Sequence, residues 1–316
     1  MTFNPRKLPT VLTSQELIDK AFRKASKVTG RNKKEKSLNK LSTISNVLES
    51  YFSRIVSEHP SYDNLAPFYR EMVDAVVGLG QLKKSLAALQ WANSMTQKII
   101  SRGIRKIKGG QNPETVLKEV YGRIASVIEQ IDYELRFLNE AKQKMREIPT
   151  LSNDFTAVFA GYPNVGKSSI VSVISTVKPE IASYPFTTKK IYVGYIAGSK
   201  RIQVIDTPGL LDRPIEKRNR IEKRAILALK HLADVIVFVI DPTEICGFEL
   251  EKQLSLLSEI KSQFDIPIIE IYSKSDLHDK RDRLSVSIYT ENGIDELVRI
   301  LKNMAESKSD DVTGND

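Results

Sequence analysis

The chain has 316 residues with 41% hydrophobic and 28% charged side chains, 15 glycines and 13 prolines, which excludes a single small module and a mainly disordered chain. One cysteine, Cys246, and three scattered histidines, His59, His231 and His278, exclude an internal disulfide, a Cys-rich zinc site and any His ligand spacing, so metal chemistry must use oxygen ligands. The net charge of +9 is unevenly divided: residues 1–150 hold 26 Lys and Arg against 15 Asp and Glu, net +11, and the remaining residues sum to −2.

Thr13-Ser14-Gln15-Glu16 has capping-box form, a hydroxyl followed three residues later by Glu, and Leu17, Ile18, Ala21 and Phe22 continue at helical spacing. A helix is expected there. From Lys33 to Glu58, Leu38, Leu41, Ile44, Val47, Leu48, Tyr51, Phe52 and Ile55 recur at steps of three and four, which predicts a second, longer helix. Ala66 to Leu79 and Gln81 to Lys108 repeat the pattern on either side of Gly78-Leu79-Gly80, read as a break or kink. Asn112-Pro113-Glu114 supplies a cap, a first-turn proline and an acid ahead of a pattern running from Val116 to Glu147. Together these predict an all-α helical bundle over residues 1–150, ending at Ile148-Pro149-Thr150, where proline breaks the helical pattern. Trp91 and the aromatic residues at these spacings are assigned to core packing rather than base stacking.

The bundle carries the basic charge. Lys20, Arg23, Lys24, Lys27, Arg31, Lys33, Lys34, Lys36 and Lys40 face one acid, Glu35, and Arg102, Arg105, Lys106 and Lys108 form a second cluster. One such run is ordinarily a solvated face; two in one basic domain favour a polyanion such as RNA. The longest apolar run, Val235 to Ile240, is far short of the roughly 20 residues of a membrane span, and Met1 to Lys20 lacks a signal-peptide core. The expectation is a cytoplasmic protein with no membrane partner.

Residues 151–305 are expected to form an α/β domain with a mainly parallel sheet, and 306–316 an acidic flexible tail. Phe155 to Ala160 is β-rich and runs into Gly161-Tyr162-Pro163-Asn164-Val165-Gly166-Lys167-Ser168-Ser169, a full match to the P-loop pattern ahead of a helical stretch, Ser169 to Val177. The glycines let backbone amides wrap phosphates, Lys167 neutralises the β- and γ-phosphates, and Ser168 holds Mg2+ at a helix start. Asn164, Val165 and Ser169 complete the phosphate-binding set. Strand-like Ile202 to Ile205 ends in Asp206-Thr207-Pro208-Gly209, where Asp206 reaches Mg2+ and the Gly209 amide senses a γ-phosphate. In the intervening Ser183-Tyr184-Pro185-Phe186-Thr187-Thr188-Lys189, Thr188 is the first choice to close on Mg2+, with Thr187 second. Two more strands, Val235 to Ile240 and Pro267 to Tyr272, lead to Asp241 and to Ser273-Lys274-Ser275-Asp276. Asp276 can accept hydrogen bonds from guanine N1 and N2, which adenine does not offer, and the Lys274 stem lies over the base. Ser273 stands where Asn is usual. Ser287 and Ile288 fit the last guanine-side loop, with Ile288 in place of Ala. The chain therefore reads as a P-loop GTPase using GTP/GDP and Mg2+.

These motifs resemble the Obg-like branch of translation-factor GTPases, whose phosphate loop is commonly followed by a Tyr-Pro-Phe-Thr-Thr switch. More narrowly, Asp241-Pro242-Thr243-Glu244-Ile245-Cys246-Gly247-Phe248-Glu249-Leu250-Glu251-Lys252-Gln253 resembles the segment characteristic of the nucleolar GTP-binding protein family. That resemblance implies an N-terminal helical domain ahead of the GTPase domain, a short archaeal-type member, and a nucleotide-gated role in assembling the large ribosomal subunit. The partner it implies is a large-subunit precursor or rRNA, met through the basic bundle. Leu210 and Leu211 stand where Ras-like enzymes place a catalytic glutamine, a replacement shared with the Obg-like branch that implies slow intrinsic turnover and room for an unidentified activator. Lys167, Thr188, Gly209 and Asn164 remain as the catalytic set. Asn164 resembles the potassium-binding residue of several relatives, which makes K+ a candidate; a local loop hydrogen bond is the other reading. Two rivals stay open: a GTP-gated switch that binds a protein without RNA contact, and, more weakly, a GTPase lying on anionic lipid through the Lys20 to Lys40 helix.

Overall fold

The computed structural model describes residues 3–182, 190–209, 211–213, 223, 226 and 229–313. The chain folds as two compact units, one of Phe3–Leu65 with Val76–Arg146, the other of Ala66–Ala75 with Glu147–Asp316.

The helices in chain order are α1 (Ser14–Ser26), α2 (Lys33–Glu58), α3 (Pro67–Val77), α4 (Leu79–Lys108), α5 (Pro113–Gln130) and α6 (Asp132–Met145). Their starts follow from side chains that satisfy otherwise free amides. Thr13 accepts from the Glu16 amide at 3.3 Å and Glu16 accepts in return from the Thr13 amide at 2.8 Å. Asn32 does the same for Glu35 at 2.8 Å, and Asn112 accepts from the Glu114 and Thr115 amides ahead of Pro113. Leu17, Leu41, Ile44, Leu48, Ile55, Leu82, Leu89 and Ile100 are fully buried, each contributing about 1.5–3 kcal/mol by leaving water. The pattern from Val116 to Glu147 resolves into two helices that meet at Ile131. There Asp132, near the start of α6, accepts from the Ser14 hydroxyl at 2.5 Å and from Arg136 at 2.6 Å. Gly78, at φ +79°, separates α3 from α4, as its position in the sequence suggests.

Most of α3, Ala66–Ala75, groups with the second unit rather than with the other five helices. The Tyr69 hydroxyl accepts from the Leu151 amide at 2.7 Å and donates to the Leu151 carbonyl at 3.1 Å, which ties this helix to the segment entering the sheet.

In the second unit β1 (Phe155–Ala160) leads to α7 (Lys167–Ile174), β2 (Glu180–Ala182), β3 (Ile191–Ile196), β4 (Ile202–Asp206) and β5 (Val235–Ile240). Then come α8 (Leu250–Gln263), β6 (Ile268–Ser273), β7 (Leu284–Val286) and α9 (Ile294–Thr313). The strands form one sheet in the order β2-β3-β4-β1-β5-β6-β7. From β4 to β7 neighbours run parallel; β2 and β3 add an antiparallel edge. Every residue of β5 is buried, the mark of a strand covered on both faces. The fold is therefore the expected one, a helical bundle followed by a mainly parallel α/β sheet. Phe159 is in register with Asp206, Ile240 with Tyr272, and Ser273 with Val286. The loops leaving β1, β4, β5 and β6 thus gather at the carboxyl ends of adjacent parallel strands, where such sheets bind ligands.

α9 continues to Thr313, and 314–316 lie outside the described residues. Ser199 donates to the Glu306 carboxylate at 2.7 Å, Lys200 donates to the Glu306 carbonyl at 3.2 Å, and Lys308 pairs with Asp234, so the first of these turns is anchored.

Candidate functional site

The phosphate loop joins β1 to α7 and owes its shape to two glycines. Gly161 sits at φ +132°, and a Cβ there would meet the Val239 carbonyl oxygen at 2.4 Å. Gly166, at φ +100°, faces open space at the start of α7, so a ligand can approach the backbone closely. Asn164 also takes positive φ, at 63°. Lys167 is buried and donates to the Gly161 and Tyr162 carbonyls at 2.8 and 2.7 Å, which lays its ammonium along the loop.

Ser168 donates to Asp206 Oδ2, bringing together two residues 38 positions apart. Asp206 is fully buried, and its Oδ1 has no hydrogen-bond partner among the described residues. Burial pushes its carboxyl above the usual range, while the Ser168 hydroxyl and the Lys167 charge pull it back. An orphaned carboxylate oxygen beside a hydroxyl is a hard-oxygen donor set of the kind a divalent cation takes together with phosphate oxygens. The described residues hold no group of three or more His, Cys, Asp or Glu placed to hold a metal ion. Gly209, at φ +85°, donates its amide to Asp212 Oδ2 at 2.9 Å, and the Gly161 amide donates to the Leu211 carbonyl at 3.0 Å. Thr187, Thr188 and Leu210 lie outside the described residues.

At the other end a cavity of about 310 Å3 is lined by Asn164, Val165, Gly166 and Ser169 of the phosphate loop and by Ser273, Lys274, Asp276 and Ile288. Asp276 Oδ1 accepts from the Ser287 hydroxyl at 2.6 Å, so Ser287 orients the carboxylate from behind. Ser273 lines the cavity, but its hydroxyl donates to the Ile240 carbonyl at 3.2 Å. Of the other expected site residues, Lys167 is bonded to Gly161, Ser168 to Asp206, and the Gly209 amide to Asp212.

The sequence gives three residues in this unit no individual role, although Asp241 and Gln253 bound the family segment quoted above. Asp241, fully buried, accepts from Lys274 at 2.5 Å, from the Thr243 and Cys246 amides at 3.0 and 2.8 Å and from the Thr243 hydroxyl at 2.5 Å. Burial alone would raise its carboxyl; the Lys274 ammonium and the Thr243 and Cys246 donors outweigh that and hold it below the usual range. Gln253 is buried and bridges the Asp241 amide and carbonyl and the Phe248 carbonyl at 2.8–2.9 Å. Phe248 in turn packs on Tyr162 of the phosphate loop at 4.5 Å between ring centroids. The third is Asp212, whose only sequence signal is its place three residues after Gly209.

Two family models match the chain: the NOG1 N-terminal helical domain over residues 5–152, and nucleolar GTP-binding protein 1 over residues 220–276. An uncharacterised protein of Methanocaldococcus jannaschii is 41% identical, the match covering 88% of this chain and 82% of that protein. Nucleolar GTP-binding protein 1 of Saccharomyces cerevisiae is 32% identical, the match covering 77% of this chain and 40% of that protein. The chain thus spans about two fifths of that yeast relative's length. The G domain of the T. maritima FeoB iron transporter is 26% identical with a TM-score of 0.41, covering 48% of this chain and 98% of that one.

The expectation of a cytoplasmic location is corrected by these names: relatives in yeasts, Drosophila melanogaster and Dictyostelium discoideum are called nucleolar. No helix among the described residues is long and apolar enough to cross a membrane, and that does not distinguish one aqueous compartment from another.

Proposed function

The chain belongs to the nucleolar GTP-binding protein 1 family, its second unit is a P-loop GTPase domain, and we propose that it is a slow, nucleotide-gated GTPase acting on the large ribosomal subunit or its precursor. One observation carries the nucleotide reading: the Asp276 carboxylate and the phosphate-loop backbone line the same cavity, next to the paired Ser168 and Asp206. Guanine offers Asp276 two donors, and the loop amides from Asn164 to Ser169 meet the phosphates. Mg2+, when bound, neutralises phosphate charge; Ser168 and Asp206 are the described residues that would hold it, with Thr188 the candidate third. Lys167 leaves two loop carbonyls to meet the β- and γ-phosphates. Leu210 and Leu211 follow Gly209 where a water-orienting glutamine is usual, which supports slow turnover and a need for an activator. Asn164 is the candidate K+ ligand, and a GTPase rate several-fold higher in K+ than in Na+ buffer is its test. The nucleotide reading is tested by titrating fluorescent GDP and a non-hydrolysable GTP analogue against the chain with ATP as competitor. Displacement by GTP but not by ATP is expected, and equal displacement would overturn it.

The ribosomal reading rests on family membership and on the surface of the helical unit. Lys20, Lys24 and Arg54 line a groove formed by α1 and α2 beside Thr43, Asn46 and Ser50, a mix of cations and neutral donors suited to a phosphate backbone. Retention on RNA that falls steeply with salt supports direct contact, because phosphate contacts release counterions. Salt-insensitive binding to a ribosomal protein would favour the switch that contacts protein alone.

A further inference from the structure

The second switch begins at Gly209, and its amide is already taken. Gly209 donates to Asp212 Oδ2 at 2.9 Å, closing a tight turn, and Asp212 is 6% exposed. The turn is fixed from the other side as well: Leu211 is buried, and its carbonyl accepts from the Gly161 amide at 3.0 Å at the root of the phosphate loop. Within the nucleotide reading above, Gly209 is the donor that a γ-phosphate requires.

We propose that Asp212 is a specificity-determining residue that sets the preference between GTP and GDP, because its carboxylate occupies the Gly209 amide that the γ-phosphate must take. One N–H cannot give a full hydrogen bond to two anions. GDP lacks the third phosphate and enters without disturbing this contact. GTP enters by exchanging one anion for another on the same donor, which releases the Asp212 carboxylate. Asp212 therefore weakens GTP binding selectively.

The inference rests on the nucleotide reading, and one experiment separates the two. Affinities for fluorescent GDP and for a non-hydrolysable GTP analogue are measured on the native chain, Asp212→Ala and Asp212→Asn. Removing the charged acceptor is expected to raise the ratio of GTP-analogue to GDP affinity about tenfold, the scale of one hydrogen bond to a charged group. Asp212→Asn keeps the volume and a weaker, neutral acceptor, and is expected to move the ratio the same way by about two- to threefold, which preserves the test if the alanine variant does not fold. A merely structural role for Asp212 weakens both nucleotides alike and leaves the ratio where it was. An unchanged or lowered ratio in variants that bind both nucleotides overturns this inference alone. Failure of the native chain to bind either nucleotide overturns the nucleotide reading and this inference with it.

Discussion

Asp276 and Asp241 are both carboxylates at the base end of the site, and their surroundings give them opposite tasks. Asp276 opens onto the cavity and is held by one hydroxyl, so Asp276→Asn is expected to weaken GTP binding about a hundredfold while leaving the fold intact, read by nucleotide titration and thermal melting. Asp241 faces inward. Asp241→Ala strips partners from two amides, a hydroxyl and the Lys274 ammonium, and a loss of about 3 kcal/mol of stability is expected, together with weaker nucleotide binding. In the helical unit, burial lowers the His59 pKa from 6.5 to about 4, and the ring contacts the Tyr62 hydroxyl at 2.7 Å. Between pH 6.5 and about 4 the unfolded chain binds a proton that the folded chain refuses. Stability therefore falls as the pH falls through that window, by about 3 kcal/mol in full, and His59→Gln should flatten this part of a urea-midpoint profile. The phosphate-loop residues were legible in the sequence because their work is done by backbone shape, which Gly161, Gly166 and a following helix announce. Asp241, Gln253 and Asp212 were not, since each acts through partners that only the folded loops bring close. The Ser273 hydroxyl shows the same limit, with its residue at the cavity and its hydrogen bond turned to a strand carbonyl.

At the scale of elements, legibility follows local chemistry. The capping box at Thr13 and the Asn112-Pro113 start were read correctly because both ends of each contact lie within a few residues. Thr13→Ala is expected to cost about 1 kcal/mol, measured as a lowered denaturation midpoint of the helical unit. The long pattern from Val116 hid a junction, because the Ser14 to Asp132 contact that marks it spans 118 positions. The allegiance of α3 was hidden too: its apolar spacing resembles that of its neighbours, and only the Tyr69 bonds to Leu151 reveal which unit holds it. The edge strands β2 and β3 gave little signal, being short or interrupted by Gly194. The buried parallel strand β5 is a continuous apolar run, and β1 and β4 carry the same signal interrupted by Thr156 and Gln203.

At the scale of the whole molecule, charge and chemistry are divided between the halves of the chain. The nucleotide chemistry belongs to the second unit, and the excess of Lys and Arg belongs to residues 1–150. Because α3 packs with the second unit, deleting residues 1–150 would remove part of the GTPase unit along with the bundle, so charge reversal is the cleaner probe. The proposed function has nucleotide state gating attachment to the ribosomal subunit through the basic unit. Its most direct test is co-sedimentation of the chain with large ribosomal subunits in GDP and in a non-hydrolysable GTP analogue, at about 50 and 200 mM salt, for the native protein and for Lys20→Glu with Lys24→Glu and Arg54→Glu. Binding favoured by the analogue, weakened at the higher salt and lost in the triple variant is expected. Binding that is equal in both nucleotides, or that survives both the salt and the charge reversal, would contradict it.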